Sequence, residues 1–299
     1  MILKRKRTRS ILYIVLVILV LYLIHLYSGL FQPERLRLDP FPTDHDSLLL
    51  FAHRGMVGYF PENSMVGFIA AHEMGFEAIE LDVRMTADYH IVIFHDENGK
   101  RLTGNDLIIR HTTLDTLRSQ PILFEEKPSS SYVLLLSEYF RNMPVSLPVY
   151  IDIKTIKDFN KKMVLDSILQ VVREWEAESI VILASSDLFL LRYIQKKESG
   201  VRTALEGFGA GKEWIHWLIP PSWRPDYYSG FASRVDAGHI KWLRDKNLLD
   251  RRIVYNVDSN NFSRLRNTGI SCMIIDYDRY LDETLQMDQA LADSILNLH

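Results

Sequence analysis

The sequence contains a single cysteine, Cys272, so no intramolecular disulfide can form. The hydrophobic residues that follow it, Met273 to Ile275, indicate a buried strand in which the thiol has a core role. A chain of 299 residues can bury a sufficient core without disulfides, so the cysteine count does not identify the compartment. Internal repeats are also absent, and so is the Gly-x-Gly-x-x-Gly turn of dinucleotide-binding folds.

Acidic residues are missing from the first 33 positions, whereas five basic residues stand there, namely Lys4, Arg5, Lys6, Arg7 and Arg9. Because the formal net charge of the whole chain is −3, the remaining part is moderately acidic. A nucleic-acid-binding protein normally presents a basic surface to the phosphates of its ligand. We therefore expect no nucleic acid among the partners. A phosphate ligand would need a metal cation, or a few local arginine and lysine side chains, to offset the acidic charge.

One long apolar segment lies near the N-terminus and is unbroken from Ile11 to Ile24. About 17 residues of helix, at about 1.5 Å per residue, span about 26 Å, close to a hydrocarbon core of about 30 Å. A buried core helix would show a polar face. A cleaved signal peptide would have a shorter apolar region followed by an A-x-A-like pattern of small residues. The segment therefore predicts an uncleaved, single-pass transmembrane anchor over residues 11–28.

The charges that flank this segment predict its orientation. The basic residues precede it, and both acidic and basic residues follow it. The positive-inside rule then places residues 1–10 in the cytoplasm and the rest of the chain outside it. Residues 29–46, with three prolines and several charges, are predicted to form a linker. The catalytic domain is predicted to occupy residues 47–299.

Short apolar runs alternate with amphipathic stretches throughout residues 47–299, which predicts a single α/β domain with a parallel sheet. There are nine strand candidates, one more than an eight-stranded barrel needs. They are Leu48–Ala52, Ala78–Val83, His90–Phe94, Val149–Ile153, Ile180–Ala184, Val201–Leu205, Tyr227–Ala232, Arg252–Val257 and Cys272–Ile275.

Polar residues of the kinds used in catalysis follow most of these runs, namely His53, Asp82, His95, Lys154, Ser185, Glu206, Asp258 and Asp276. Functional groups at the C-terminal ends of many different strands are typical of a (β/α)₈ TIM barrel. A doubly wound sheet would gather them near one switch point. Residues 97–147 interrupt the alternation after the third strand candidate. They predict a small insertion over the barrel mouth.

Glu80 and Asp82 lie two positions apart in the strand candidate Ala78–Val83, so both carboxylates point to the same face. Acidic groups on a mostly apolar strand are costly unless a positive charge neutralises them. Basic side chains in buried salt bridges are one possible source of that positive charge. A hard divalent cation, Ca²⁺ or Mg²⁺, accounts better for the pair, because carboxylate oxygens are its preferred ligands. Asp152 shows the same alternation and is a candidate third ligand.

Two histidines, His53 and His95, each follow a strand candidate and flank the acidic strand. Imidazole titrates near neutral pH, so one ring can accept a proton while the other donates one. Arg54 offers a fixed fork of donors suited to phosphate oxygens. Lys154 adds a point charge, with a plain ion pair to Asp152 as the alternative. These groups together meet the needs of phosphodiester cleavage, which are charge neutralisation, an activated nucleophile and a protonated leaving group.

Four short motifs resemble the glycerophosphodiester phosphodiesterase family, and the spacing between them agrees as well. They are His53-Arg54-Gly55, Pro61-Glu62-Asn63-Ser64 with Phe68 and Ala71, Glu80-Leu81-Asp82-Val83, and His95-Asp96. The resemblance implies a TIM barrel of the phospholipase C-like phosphodiesterase type, with a small insertion after the third strand.

The resemblance also implies roles for individual residues. It implies one divalent cation held by Glu80, Asp82 and Asp152, with His53 as general base and His95 as general acid. Asp152 departs from the glutamate usual in the family, and its shorter side chain would lengthen the metal contact or bridge it through water.

Four further residues complete the predicted site. Arg54 and Lys154 are expected to contact the substrate phosphate. Glu62 and Asn63 are supporting candidates that orient His53 or Arg54, although Asn63 is equally placed to cap the helix that begins near Ser64.

The implied activity is metal-dependent hydrolysis of glycerophosphodiesters to sn-glycerol 3-phosphate and an alcohol. Both direct attack by water and attack by the substrate's own 2-hydroxyl remain open. A membrane-bound lysophospholipase D, acting on lysophospholipids, is the nearest alternative. A catalytically inactive, membrane-anchored binding protein is the non-enzymatic one. The sequence does not predict an oligomeric state.

Overall fold

The computed structural model describes residues 2–31, 37–41 and 48–277, and within the first helix it describes the side chains of residues 10–24. Parts of the predicted 29–46 linker, residues 32–36 and 42–46, therefore lie outside the described residues. Residues 47 and 278–299 of the predicted catalytic domain lie outside them as well.

Twelve strands occur in the described residues. They are β1 Leu49–His53, β2 Ala78–Met85, β3 Ile91–Ile93, β4 Leu123–Phe124, β5 Lys127–Pro128, β6 Leu134–Leu135, β7 Val149–Ile153, β8 Val181–Ser185, β9 Arg202–Leu205, β10 Tyr227–Phe231, β11 Arg252–Val257 and β12 Cys272–Ile275. Eight of them are parallel and form a closed ring in the order β1-β2-β7-β8-β9-β10-β11-β12. The predicted TIM barrel is thereby confirmed.

The helices alternate with the barrel strands. They are α1 Ile2–Phe31, α2 Met65–Glu73, α3 Lys100–Thr103, α4 Leu114–Arg118, α5 Leu136–Asn142, α6 Lys161–Glu174, α7 Leu188–Lys197, α8 Trp214–Leu218, α9 Ala237–Asp245 and α10 Phe262–Arg266. Short 3₁₀ turns lie at Ile109–His111, Pro221–Trp223, Ala232–Arg234 and Leu249–Arg251.

Side chains alternate between the two faces of each barrel strand. In β2, Ala78 belongs to the apolar cluster inside the ring, whereas Ile79 and Leu81 pack in the larger cluster that the outer helices cover. Glu80 and Asp82 therefore share the inner face with Ala78. Only the C-terminal half of that face is polar, so the polar groups collect at one end of the barrel.

The strand candidate His90–Phe94 does not take a place in the barrel, which corrects the sequence-based assignment. Its core, β3, runs antiparallel to the C-terminal end of β2, with Ile93 opposite Val83. The candidate Tyr227–Ala232 supplies β10 and completes the ring. The reason lies in β2, which continues past the barrel rim to Met85 and is then joined to β3 by a tight turn. The returning strand brings the following residue, His95, back to the mouth.

The segment between β3 and β7 contains α3, α4, α5 and the short strands β4, β5 and β6. Its small apolar cluster includes Leu102, Ile109, Leu117 and Val133, together with Phe94 just after β3. The insertion therefore has a core of its own beside the barrel mouth, and α3 stands next to the polar end of the barrel.

The opposite end of the barrel is closed by the segment 37–41. Phe41 is buried in the inner cluster, and its backbone N–H donates to the Tyr227 hydroxyl at 2.8 Å. The Arg202 guanidinium lies 4.2 Å from the centre of the Phe41 ring. The chain that follows α1 therefore reaches the barrel at the end away from the polar mouth.

The apolar run predicted as an anchor lies within α1, and its large side chains from Ile11 to Leu21 are exposed. The Tyr22 hydroxyl donates to the Leu218 carbonyl at 3.3 Å, so this helix touches the barrel near α8. Among the helices of the described residues, none combines the length and the apolar content that a membrane crossing requires.

Candidate active site

A cavity of about 310 Å³ opens at the C-terminal end of the barrel. Seven of the nine predicted site residues line it, namely His53, Arg54, Glu80, Asp82, His95, Asp152 and Lys154. The other two, Glu62 and Asn63, contact members of this group. Parallel strands deliver their C-terminal residues to one edge of the sheet, which explains why residues a hundred positions apart meet here.

Three carboxylates stand together on neighbouring strands. Asp82 of β2 pairs directly with Asp152 of β7, and Glu80 lies one inward position before Asp82. Ligand oxygens of the three lie within 4.8 Å of one another, and all three side chains are buried. Burial, with repulsion from Asp82, raises the pKa of Glu80 to about 8. This carboxylate cluster therefore lacks enough positive charge of its own.

The donor set fits a divalent cation. Asp82 Oδ1 is buried and has Lys154 Nζ at 2.6 Å, but Lys154 is shared with Asp152. Arg54 and Lys154 thus face three buried carboxylates, and a cation bound among the three would offset their remaining repulsion. Oxygen-only ligands suit Ca²⁺ or Mg²⁺ rather than a thiolate- or imidazole-preferring metal. Glu80, Asp82 and Asp152 are therefore the residues that would hold it.

Two fixed positive charges border the carboxylate cluster. Arg54 Nε lies 3.0 Å from Asp82 Oδ2, and the Arg54 backbone N–H donates to Glu80 Oε2 at 3.0 Å. Lys154 contacts both Asp82 and Asp152. Burial opposes ionisation of Asp82, but Lys154 and Arg54 outweigh it and lower the pKa of Asp82 to about 2. Both cationic side chains remain partly exposed and face the cavity, where a phosphate can reach them.

His53 is held between two carboxylates. Its Nδ1 atom is hydrogen-bonded to Asp276 at the end of β12, and its Nε2 atom lies 3.8 Å from Glu80 Oε2. Burial lowers the pKa of His53, but Glu80 and Asp276 more than compensate, so the net shift is upward. Asp276 fixes the plane of the ring and leaves Nε2 directed at the cavity.

His95 has a different environment. Its Nδ1 atom lies 2.6 Å from Asp96 Oδ1, and Arg84 donates to its backbone carbonyl at 2.9 and 2.7 Å. Burial is the main influence and lowers the pKa of His95. The pKa values of the two imidazoles of the cavity are therefore shifted in opposite directions, that of His53 upward and that of His95 downward.

The two supporting candidates act on Arg54 and Asp82 rather than on His53. Arg54 Nη1 donates to Glu62 Oε1 at 3.1 Å, and Asn63 Nδ2 donates to Asp82 Oδ2 at 2.8 Å. Asn63 does not cap α2, since the Ser64 side chain accepts the N–H of Gly67 instead. Asn63 thus orients a carboxylate of the cluster.

Arg101 of α3 connects the surroundings of Arg54 with those of His95. It was not predicted from the sequence. It donates to Glu62 at 2.6 and 2.9 Å and to Asp96 at 2.7 and 3.0 Å. Through these bonds it links the partner of Arg54 to the partner of His95. Its position in the insertion, 39 residues from Glu62, gave no periodic signal that would have revealed the link.

The remaining wall of the cavity comes from β9, β10 and β11. Glu206 accepts a hydrogen bond from the Tyr150 hydroxyl at 3.0 Å, and burial with repulsion from Asp152 raises its pKa. The rings of Phe231 and Tyr255 meet edge to face, with 4.6 Å between their centroids. The sequence placed Glu206 at a strand end but assigned no role to this wall.

The glycerophosphoryl diester phosphodiesterase family model matches residues 53–280. The glycerophosphodiester phosphodiesterase of Caldanaerobacter subterraneus subsp. tengcongensis is 29% identical over 52% of this chain and 65% of its own length. The human lysophospholipase D GDPD1 is 28% identical over 50% of this chain and 49% of its own length. The chain thus spans less than two thirds of either relative.

Solved structures show the same fold. An Oleispira antarctica phosphodiesterase, in complex with the product sn-glycerol-3-phosphate, superposes with a TM-score of 0.71 at 17% identity, covering 79% of this chain and 96% of that one. The Thermotoga maritima glycerophosphodiester phosphodiesterase superposes with a TM-score of 0.63 at 23% identity, covering 81% of this chain and 99% of that one. With the family model covering most of the chain, this protein belongs to the glycerophosphoryl diester phosphodiesterase family.

Proposed function

We propose that this protein hydrolyses glycerophosphodiesters to sn-glycerol 3-phosphate and an alcohol, with one divalent cation, Ca²⁺ or Mg²⁺. The observation that carries the proposal is the cluster of Glu80, Asp82 and Asp152 bordered by Arg54 and Lys154. A cavity with this balance of charges fits a phosphate bound to a cation. The names of the relatives and the product complex of the Oleispira structure support the same reaction class.

Arg54 and Lys154 would bind the non-bridging oxygens of the phosphate and hold the phosphorus in line for attack. A bound cation would supply further positive charge at those oxygens. Asp152 has one methylene less than the glutamate usual in the family, so its contact with the cation would be longer or bridged by water.

The two histidines would carry the protons. One imidazole takes the proton of the attacking hydroxyl, and the other gives a proton to the departing alkoxide. His53 as base and His95 as acid is the assignment that the family resemblance implies. The nucleophile is water or the 2-hydroxyl of the glycerol moiety, and both routes give the same final products.

The purified full-length chain with glycerophosphocholine tests this function. We expect release of sn-glycerol 3-phosphate, measured with a coupled dehydrogenase, in the presence of Ca²⁺ or Mg²⁺. Release of phosphocholine would contradict the proposed bond cleavage. Absence of turnover with every divalent ion, over a panel of diesters, would favour the inactive binding protein.

A lysophospholipase D activity is the second candidate, favoured by the exposed apolar helix α1 and by the similarity to the human lysophospholipase D. In this case the substrate keeps one acyl chain. Parallel assays with glycerophosphocholine and lysophosphatidylcholine in the same detergent would separate the two, since only the second substrate requires room for an acyl chain.

We infer that residues 11–28 anchor the chain to a membrane, with residues 1–10 in the cytoplasm and the catalytic domain outside it. The exposed apolar side chains from Ile11 to Leu21 support this proposal, and so do Trp214 and Trp217, which are exposed on α8 beside the contact with Tyr22. We expect the chain to stay with the membrane fraction after carbonate washing and to be digested by protease added to intact cells. Release by carbonate, or protection from protease, would contradict the anchor or its orientation.

A further inference from the structure

The wall formed by Glu206, Phe231 and Tyr255 adjoins the carboxylate cluster, with Glu206 within hydrogen-bond reach of Asp152. Arg54 and Lys154 follow β1 and β7, His53 ends β1 and His95 follows β3, so this wall is left for an organic substituent of the diester. It consists of one carboxylate and two aromatic rings, with Asn256 beside them.

Glu206 is the carboxylate of the cavity that lacks a cationic partner among the described residues. Asp82 and Asp152 have Lys154, and Asp276 has His53. The hydrogen bond to Glu206 comes instead from the neutral hydroxyl of Tyr150, which is itself bonded to Ser229 at 2.7 Å. A mostly buried carboxylate is stabilised when a positive group adjoins it. A cationic alcohol moiety of the substrate would supply such a group.

The aromatic rings supply the matching surface. The Phe231 side chain is 46% exposed although it lines a polar cavity, and Tyr255 on the neighbouring strand packs edge to face against it at 4.6 Å. The negative faces of aromatic rings attract ammonium groups, and quaternary ammonium ligands are commonly bound in this way.

We propose that Glu206, Phe231 and Tyr255 bind the alcohol moiety of the diester and select a cationic amino alcohol over a neutral or anionic one. The inference rests on the proposed function and names its substrate class. Glu206 would pair with the ammonium charge, and the two rings would cover its methyl or methylene groups. A neutral glycerol or inositol would leave Glu206 without a cation.

The test compares glycerophosphocholine with glycerophosphoglycerol, which share the glycerol and phosphate but differ in the charge of the alcohol. We expect Glu206→Gln to lower kcat/KM for glycerophosphocholine about tenfold and to change that for glycerophosphoglycerol less than twofold. Tyr255→Leu should also lower the preference for the cationic substrate. Tyr255→Phe, the matched control, keeps the ring and should retain that preference.

Two results would overturn the proposal. Equal losses with both substrates would show that the wall binds the shared glycerol. A higher Ca²⁺ requirement in Glu206→Gln, with unchanged selectivity, would assign Glu206 to the cation. Equilibrium binding of both diesters to His95→Ala protein, with and without Glu206→Gln, repeats the comparison without turnover. Selective binding by this variant together with no hydrolysis by the parent protein would contradict the proposed activity alone. Hydrolysis by the parent protein without selectivity in either assay would contradict this inference alone.

Discussion

Replacing His95 with alanine is expected to lower kcat by about a hundredfold or more, and His53→Ala is expected to do the same. Each imidazole would move one of the two protons that the reaction transfers. His53 is oriented by Asp276 and His95 by Asp96, so each ring presents its other nitrogen to the substrate. Steady-state kinetics with glycerophosphocholine measure the effect.

His90→Ala is the matched control for this pair of variants. His90 lies in the turn before β3, five positions from His95, and its half-exposed ring pairs with Asp88 at 3.4 Å. We expect its kcat to stay within about twofold of the parent, as for most exposed substitutions. The double variant His53→Ala/His95→Ala should be little worse than either single one, because groups that act as a unit are not additive. Near-normal turnover of either single variant would remove the two-histidine mechanism.

Removal of the divalent cation is expected to abolish activity, and Ca²⁺ or Mg²⁺ should restore it. Asp82→Asn should lose at least about a hundredfold in kcat/KM and should not recover at higher cation concentration. The physical reason is the placement of Asp82, which is completely buried and has a carboxylate oxygen within 4.8 Å of ligand oxygens of Glu80 and Asp152. Mutating a residue that only hydrogen-bonds to a metal ligand commonly lowers metal affinity or activity by about ten- to a hundredfold. Loss of a direct ligand such as Asp82 should therefore have a larger effect.

The same cation should stabilise the fold. At a concentration of a hundred times Kd, binding contributes about 2.7 kcal/mol, which raises the Tm of a domain of this size by about 5 °C or more. Asp82→Asn should show little of this rise, whereas Asp245→Asn should show all of it. Asp245 is exposed on α9 and pairs with Lys241, far from the carboxylates. An equal rise in both variants would place the cation elsewhere in the protein.

Much of the fold followed from local patterns. The alternation of Glu80 and Asp82 with Ile79 and Leu81 predicted one polar and one apolar face, and the barrel has both. The barrel itself was predicted correctly because polar residues ended most apolar runs. The pattern of apolar and polar residues does not predict the direction of a strand. The run His90–Phe94 is as apolar as a barrel strand, and only the pairing of Ile93 with Val83 shows that it is antiparallel.

The parts of the site that were missed depend on contacts between distant segments. Arg101 reaches Glu62 and Asp96 because the insertion packs against the barrel mouth, and no spacing rule connects these positions. Glu206 stood out only as a polar residue after a strand, and its meaning depends on the rings of Phe231 and Tyr255 beside it. These residues become neighbours when the strands close into the barrel, and the sequence around each residue does not indicate it.

Anomalous diffraction from crystals grown with Ca²⁺ and sn-glycerol 3-phosphate tests the central claim most directly. We predict one calcium peak within about 2.3–2.6 Å of oxygens of Glu80 and Asp82, with Asp152 bound directly or through water. The phosphate should contact the same ion together with Arg54 and Lys154. A calcium ion bound away from these carboxylates, or a phosphate outside this cavity, would contradict the account.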